Sequence, residues 1–221
     1  MATTGQARES TARSECARPE KLVVIGNSLT RHPPSAQVQW PNDWGMAASA
    51  KERDFAHLVA SALRLPLELR AIPEFESAPS QHLHRIPEVT ANVDDKTLVV
   101  VGLGDNAKNE TAAEFVSSYG KLLKAAHGLR LVCMSTWWGN AALDRQMKKQ
   151  CEDGGGRFVG IGDLRQSPQN PDQQSGPQYA IAAVNDHPHD WGMARIAERV
   201  VAAWRGSEEK AGCQPAARTA P

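Results

Sequence analysis

The sequence predicts an α/β protein: a three-layer α/β/α domain built on a parallel sheet of about five strands. Three observations carry that expectation. Short β-rich runs recur along the chain, several of them continuously apolar, as strands covered on both faces must be. Amphipathic helical patterns lie between those runs, and strands alternating with helices pair in parallel through right-handed crossovers. A chain of 221 residues buries one sizeable core, and a second full domain is not expected. In such sheets the chemistry gathers at the C-terminal ends of the strands.

Residues 1–20 show no hydrophobic period and read as a flexible N-terminal tail, as do residues 206–221 at the other end, which leaves 21–205 as the folded domain. KLVVIG at 21–26 is the first expected strand. A helix follows over 51–63, with Phe55, Leu58, Val59, Ala62 and Leu63 on one face. LPLELRAI at 65–72 and TLVVVGLG at 97–104 supply strands two and three. Over 110–127, Phe115, Val116, Tyr119, Leu122 and Leu123 keep the three-four spacing of a helix, and Thr111 with Glu114 has the spacing of a capping box. LRLVCMS at 129–135 and RFVGIG at 157–162 are the last two strands, with a less regular helical pattern at 140–151 between them. The stretch 165–180, rich in Pro, Gln and Gly, reads as an exposed loop. The closing helix is lined by Met193, Ile196, Ala197, Val200, Val201 and Trp204.

Lys plus Arg and Asp plus Glu both total 25, so the net charge is zero and the electrostatic footprint of a nucleic-acid binder is missing. No apolar stretch approaches the roughly 18–20 residues that span a bilayer, so neither nucleic acid nor membrane is an expected partner. The first twenty residues lack the apolar core of a secretory signal, which makes the cytoplasm the default location; a trimmed N-terminus would leave a secreted or periplasmic protein looking the same. Cys16, Cys133, Cys151 and Cys213 are widely spaced with no Cys-x-x-Cys, and read as free thiols rather than a zinc site or a disulfide framework.

Three short motifs can carry chemistry. The first strand ends in Gly26-Asn27-Ser28-Leu29-Thr30, which puts a serine in a strand-to-loop turn where N–H groups are free; an ordinary turn or cap serine is the plainer alternative. The third strand delivers Gly104-Asp105-Asn106 to the same edge, where an Asn amide can donate to a developing oxyanion or simply serve the turn. Asn185-Asp186-His187-Pro188-His189-Asp190-Trp191-Gly192 precedes the last helix, and a histidine held there can reach the strand ends as a general base. Pro188 restricts His187 to a non-helical backbone.

In this order and at these strand ends, the motifs resemble the SGNH/GDSL hydrolase family over residues 21–205, and the wording around them is similar to a bacterial branch with a GNSLT nucleophile block. The surrounding Trp44-Gly45-Met46-Ala47-Ala48-Ser49 and Phe75-Glu76 belong to the same likeness. The resemblance implies a flavodoxin-like sheet and hydrolysis of an ester through an acyl-Ser28 intermediate, with His187 as general base. It implies an oxyanion hole made of the Ser28 N–H and the Asn106 side chain, with Gly104 in support. No metal or organic cofactor is implied.

The chain departs from the family's pattern at three places. Val184 stands where an Asp three residues before the histidine normally orients it, so a Ser-His dyad oriented by a backbone carbonyl is the favoured arrangement. A second register, Asp186 with His189, restores the acid at the cost of the proline and glycine spacing, and ranks behind His187. Residues 70–76 contain no glycine to donate a second oxyanion N–H, so a backbone N–H from Glu74 or a neighbour is the substitute to look for. Ala107 replaces an Asp after the oxyanion Asn. Trp40, Trp44, Trp137, Trp138 and Trp191 fall in loops near strand ends, where they either stack on sugar rings or anchor the loops. His82 and His84, taken with His187 and His189, have no zinc-ligand spacing. The leading expectation is an esterase that removes a short acyl group, acetyl first, from a small or carbohydrate ester. An O-acyltransferase on the same site and a non-catalytic binding protein on the same fold are the alternatives.

Overall fold

The computed structural model describes residues 18–126, 130–173 and 178–210; Cys16 and Cys213, together with most of both tails, lie outside the described residues. Five strands form one parallel sheet: β1 (Lys21–Gly26), β2 (Leu67–Ala71), β3 (Thr97–Gly102), β4 (Leu131–Met134) and β5 (Arg157–Val159), in the order β2-β1-β3-β4-β5. The longer helices are α1 (Phe55–Leu63), α2 (Ala112–Ala125), α3 (Ala141–Asp153) and α4 (Asp190–Lys210). Helical backbone in α4 thus continues past residue 205.

The apolar runs divide by parity, because successive strand residues point to opposite faces. Leu22, Val24, Leu98 and Val100 pack on one face under α1 and α4, through Phe55, Val59, Met193, Ile196 and Val200. Val23, Ile25, Val99 and Val101 pack on the other under α2 and α3, through Phe115, Tyr119, Leu122 and Met147. The two faces follow from topology. The chain steps one way from β1 to β2 and the opposite way from β3 onward, so crossovers of a single hand must put their helices on opposite sides. That reversal leaves a crevice between the C-terminal ends of β1 and β3.

Two local expectations are corrected. Thr111 does precede α2, but no side chain caps that helix: the Thr111 hydroxyl donates to the Lys108 carbonyl and Glu114 accepts the Ser80 N–H at 2.7 Å. The capping box loses to a tertiary partner that the spacing could not reveal. Cys133 and Cys151 are not free thiols; they form a disulfide between β4 and α3 with Cα atoms 6.3 Å apart, and both are fully buried. Eighteen residues separate them in sequence, and only the packing of α3 on β4 brings them together. The segment 165–180 is also less uniform than expected: a short helix ends at Arg165 and a 3-10 turn spans Pro171–Gln173, while 174–177 lie outside the described residues.

Candidate active site

Asn27 shapes the turn that presents the candidate nucleophile. Its carbonyl accepts the N–H groups of Thr30 and Arg31 at 3.0 and 3.1 Å, and its side-chain oxygen accepts the Leu29 N–H at 3.0 Å. Ser28 sits half-buried at the head of this turn, and its carbonyl accepts the Met46 N–H at 2.9 Å. The hydroxyl therefore projects from a fixed backbone just past the end of β1.

Across the crevice, the short helix Ala182–Asn185 leads into His187, whose Nδ1 lies 2.7 Å from the Ala183 carbonyl oxygen. A carbonyl only accepts, so Nδ1 carries the proton and Nε2 presents its lone pair. That lone pair faces the Ser28 Oγ at 2.8 Å. The geometry is that of a hydroxyl donating to a neutral imidazole. Burial pushes the His187 ring down to about 4 from its ordinary 6.5, helped by the nearby His32 and His189 and opposed by the Ala183 bond and Asp186. Gly192 is needed in the first turn of α4, because a Cβ there would lie 2.8 Å from the Pro188 side chain and 3.2 Å from the Trp137 ring.

The rival register separates. His189 Nδ1 pairs with Asp172 at 3.1 Å, its ring meets Tyr179 edge-on, and its Nε2 is buried without a hydrogen-bond partner among the described residues. Asp186 turns its carboxylate to Arg165 at 3.5 Å, while its carbonyl accepts the Trp137 indole N–H at 2.8 Å. Val184 is buried with Trp40, Met46 and Ala47. His187, not His189, is brought to Ser28, and its Nδ1 is met by a main-chain carbonyl.

Beneath the turn lie two carboxylates, fully buried Glu76 and partly buried Asp105, to which the sequence motifs assign no role of their own. Glu76, fully buried, accepts hydrogen bonds from Asn27 Nδ2 at 3.1 Å, from the Gly104 N–H and from Asn106 Nδ2. Asp105 accepts from the same Asn27 Nδ2 at 3.3 Å and from the Trp137 and Trp138 N–H groups at 2.7 and 3.4 Å. The network joins the loops after β1, β3 and β4 to the one-turn helix Glu74–Ser77 that follows β2. Burial raises the pKa of Glu76 against the pull of its donors. Burial and the Glu76 charge push Asp105 up to about 7. Gly104 holds φ +117°, a conformation that L side chains rarely adopt, and an added Cβ would lie 2.9 Å from the Met147 sulfur.

The segment after β2 thus delivers a carboxylate to the site. The Phe75 and Glu76 N–H groups are taken up locally by the carbonyls of Ile72 and Pro73. The only sequence signal for Glu76 was the Phe75-Glu76 pair itself, since a buried glutamate has no period or spacing of its own.

A cleft of about 360 Å³ is lined among others by Gly104, Asp105, Asn109, Thr136, Trp138 and Asn140. Trp138 joins the cleft to the dyad, meeting the His187 ring edge-on at 5.1 Å. Among the loop tryptophans, Trp40 and Trp137 are buried anchors, and Trp44 holds its own loop through the Ala48 carbonyl. His82 and His84 lie together on the 3-10 turn Pro79–Arg85, their ring centroids 5.9 Å apart.

No protein-family model matches the sequence, and no curated protein matches it either. Solved structures do match its fold. A two-domain esterase active on acetylated mannans superposes with a TM-score of 0.60 at 14% identity over 97% of this chain, which spans only 56% of that protein's length. A carbohydrate esterase family 2 enzyme with a carbohydrate-binding domain, from Corynascus thermopiles (Myceliophthora fergusii), gives 0.54 at 13% identity, covering 87% of this chain and 68% of the other. An acetyl xylan esterase from Geobacillus stearothermophilus gives 0.51 at 16% identity, covering 91% of this chain and 99% of the other. At this identity the likeness is one of fold.

Proposed function

We propose that the chain is a serine-dependent ester hydrolase that removes a short acyl group, acetyl first, from a hydroxylated alcohol of carbohydrate type. The observation that carries it is the hydrogen bond of 2.8 Å between Ser28 Oγ and His187 Nε2, with Nδ1 fixed on a carbonyl. Ser28 attacks the ester carbonyl as Nε2 takes its proton, and the imidazolium returns that proton to the leaving alcohol. Water then enters by the same route in reverse and releases the acid. The Ser28 N–H and the Asn106 side-chain amide are the oxyanion donors of this mechanism.

The cleft beside Trp138 fits the alcohol part. Its Asn109 and Asn140 amides and the Asp105 carboxyl offer polar groups, and the indole offers an aromatic wall, which suits a polyol. The fold likeness to esterases of acetylated mannans and xylans supports the same substrate class. The Cys133–Cys151 disulfide supports a secreted or periplasmic place of action, because such bonds persist in oxidising compartments.

The test is a screen against p-nitrophenyl acetate and acetylated xylo- and manno-oligosaccharides, with a fluorophosphonate probe for Ser28. Labelled Ser28 together with acetate release above a Ser28→Ala control is the expected result. Neither labelling nor release would leave a non-catalytic binding protein. Adding a free sugar acceptor and analysing the products separates acyl transfer to sugar from transfer to water.

The dyad also sets a pH profile. Neutral imidazole is the competent base, and His187 titrates at about 4, so kcat/KM is expected to hold from neutrality through pH 5 and to fall roughly tenfold per unit below 4. An acid limb centred near the ordinary histidine value of 6.5 would contradict the buried geometry.

A further inference from the structure

Asn106 is exposed, so water alone would let its amide rotate between two nearly isosteric orientations. Only one of them directs an N–H at a developing oxyanion; the other directs a carbonyl oxygen there. We propose that Glu76 is a positioning residue that fixes this choice: its buried carboxylate accepts one hydrogen of Asn106 Nδ2 and leaves the other for the oxyanion. The inference rests on the esterase reading and adds a residue to it.

The chemistry of the neighbours supports the assignment. Asn27 Nδ2 and the Gly104 N–H converge on Glu76 Oε1, and Asn106 Nδ2 takes Oε2. The Asn106 backbone N–H also faces the carboxylate, and all four are donors, so a group that only accepts satisfies them and a carboxamide does not. In Glu76→Gln the side-chain oxygen goes to the Asn27 and Gly104 donors, which turns its NH₂ toward Asn106. The Asn106 amide then inverts to accept, and its oxygen stands where its nitrogen stood. The same carboxylate is tied through Asn27 to the turn holding Ser28, so the nucleophile and the oxyanion donor share one anchor.

The experiment is a double-mutant cycle on p-nitrophenyl acetate hydrolysis with wild type, Glu76→Gln, Asn106→Ala and the double variant, each also assayed in a Ser28→Ala background. Asn106→Ala is expected to lower kcat about 100-fold, and Glu76→Gln about 10- to 100-fold, with KM changed less than about threefold. The double variant should match Asn106→Ala within about threefold, because Glu76 acts through that amide. Glu76→Asp provides a second readout: it stays an acceptor-only group, so it should retain more of kcat than Glu76→Gln although the glutamine is the closer match in volume. A role in packing alone ranks these two variants the other way. Independent, multiplying losses in the cycle, or glutamine outperforming aspartate in kcat, would overturn the proposal while leaving the esterase intact. A wild-type protein without Ser28-dependent turnover would overturn both.

Discussion

Replacing Ser28 with alanine is expected to lower kcat for p-nitrophenyl acetate by a factor on the order of 10⁶, and His187→Ala by a comparable amount. The double variant should be no worse than either single one, because a hydroxyl without its base and a base without its hydroxyl are equally idle. His189→Ala should stay within about threefold of wild type, since that ring turns to Asp172 and Tyr179 and away from Ser28. Steady-state kinetics on the four proteins, with circular dichroism to check folding, is sufficient. Loss of activity in His189→Ala with His187→Ala near wild type would move the base to the other histidine. The 2.8 Å contact would then not describe the working site.

Removing the disulfide with Cys133→Ala and Cys151→Ala together is expected to be the largest single loss of stability. Closing a loop with a sequence separation of 18 restricts the unfolded chain by about 3 kcal/mol. For a chain of this size that is a fall in Tm of roughly 6–12 °C. Both sulfurs are fully buried, so added reductant should do little to the native protein and reproduce the loss only after unfolding and refolding in its presence. The bracketed loop carries Thr136, Trp138, Gly139 and Asn140, which form one wall of the cleft. KM for an oligosaccharide substrate should therefore rise in the double variant while turnover of p-nitrophenyl acetate, which needs little of that wall, changes less. A Tm unchanged by either treatment would show that the two cysteines are not paired in the purified protein.

The central strands β1, β3 and β4 were legible because burial on both faces leaves little room for polar residues, and β1 coincides with its apolar run at Lys21–Gly26. Their ends were less legible. RFVGIG shortens to Arg157–Val159, because the chain bends away once the Ile161 N–H turns to the Ser135 hydroxyl at 2.8 Å. The long helices announced themselves by period, whereas the Thr111–Glu114 box and the cysteine pair both failed for one reason: each depends on what a neighbouring element brings near. The site divides in the same way. Ser28 and His187 stand in local motifs at strand and helix ends, but Glu76 gathers donors from distant loops, and no spacing encodes that convergence.

The acceptor that orients His187 is the main-chain oxygen of residue 183, and a main-chain atom has no codon. On the proposed mechanism, an alanine scan of this chain finds a nucleophile and a base but no third partner for the histidine, because that partner survives every side-chain exchange. Drift at position 183 is free as long as the turn over Ala182–Asn185 keeps its carbonyl aimed at the ring. Searches that ask for an acid at a fixed offset from the histidine will pass over chains built this way, although what they have lost is a side chain and not the hydrogen bond it made.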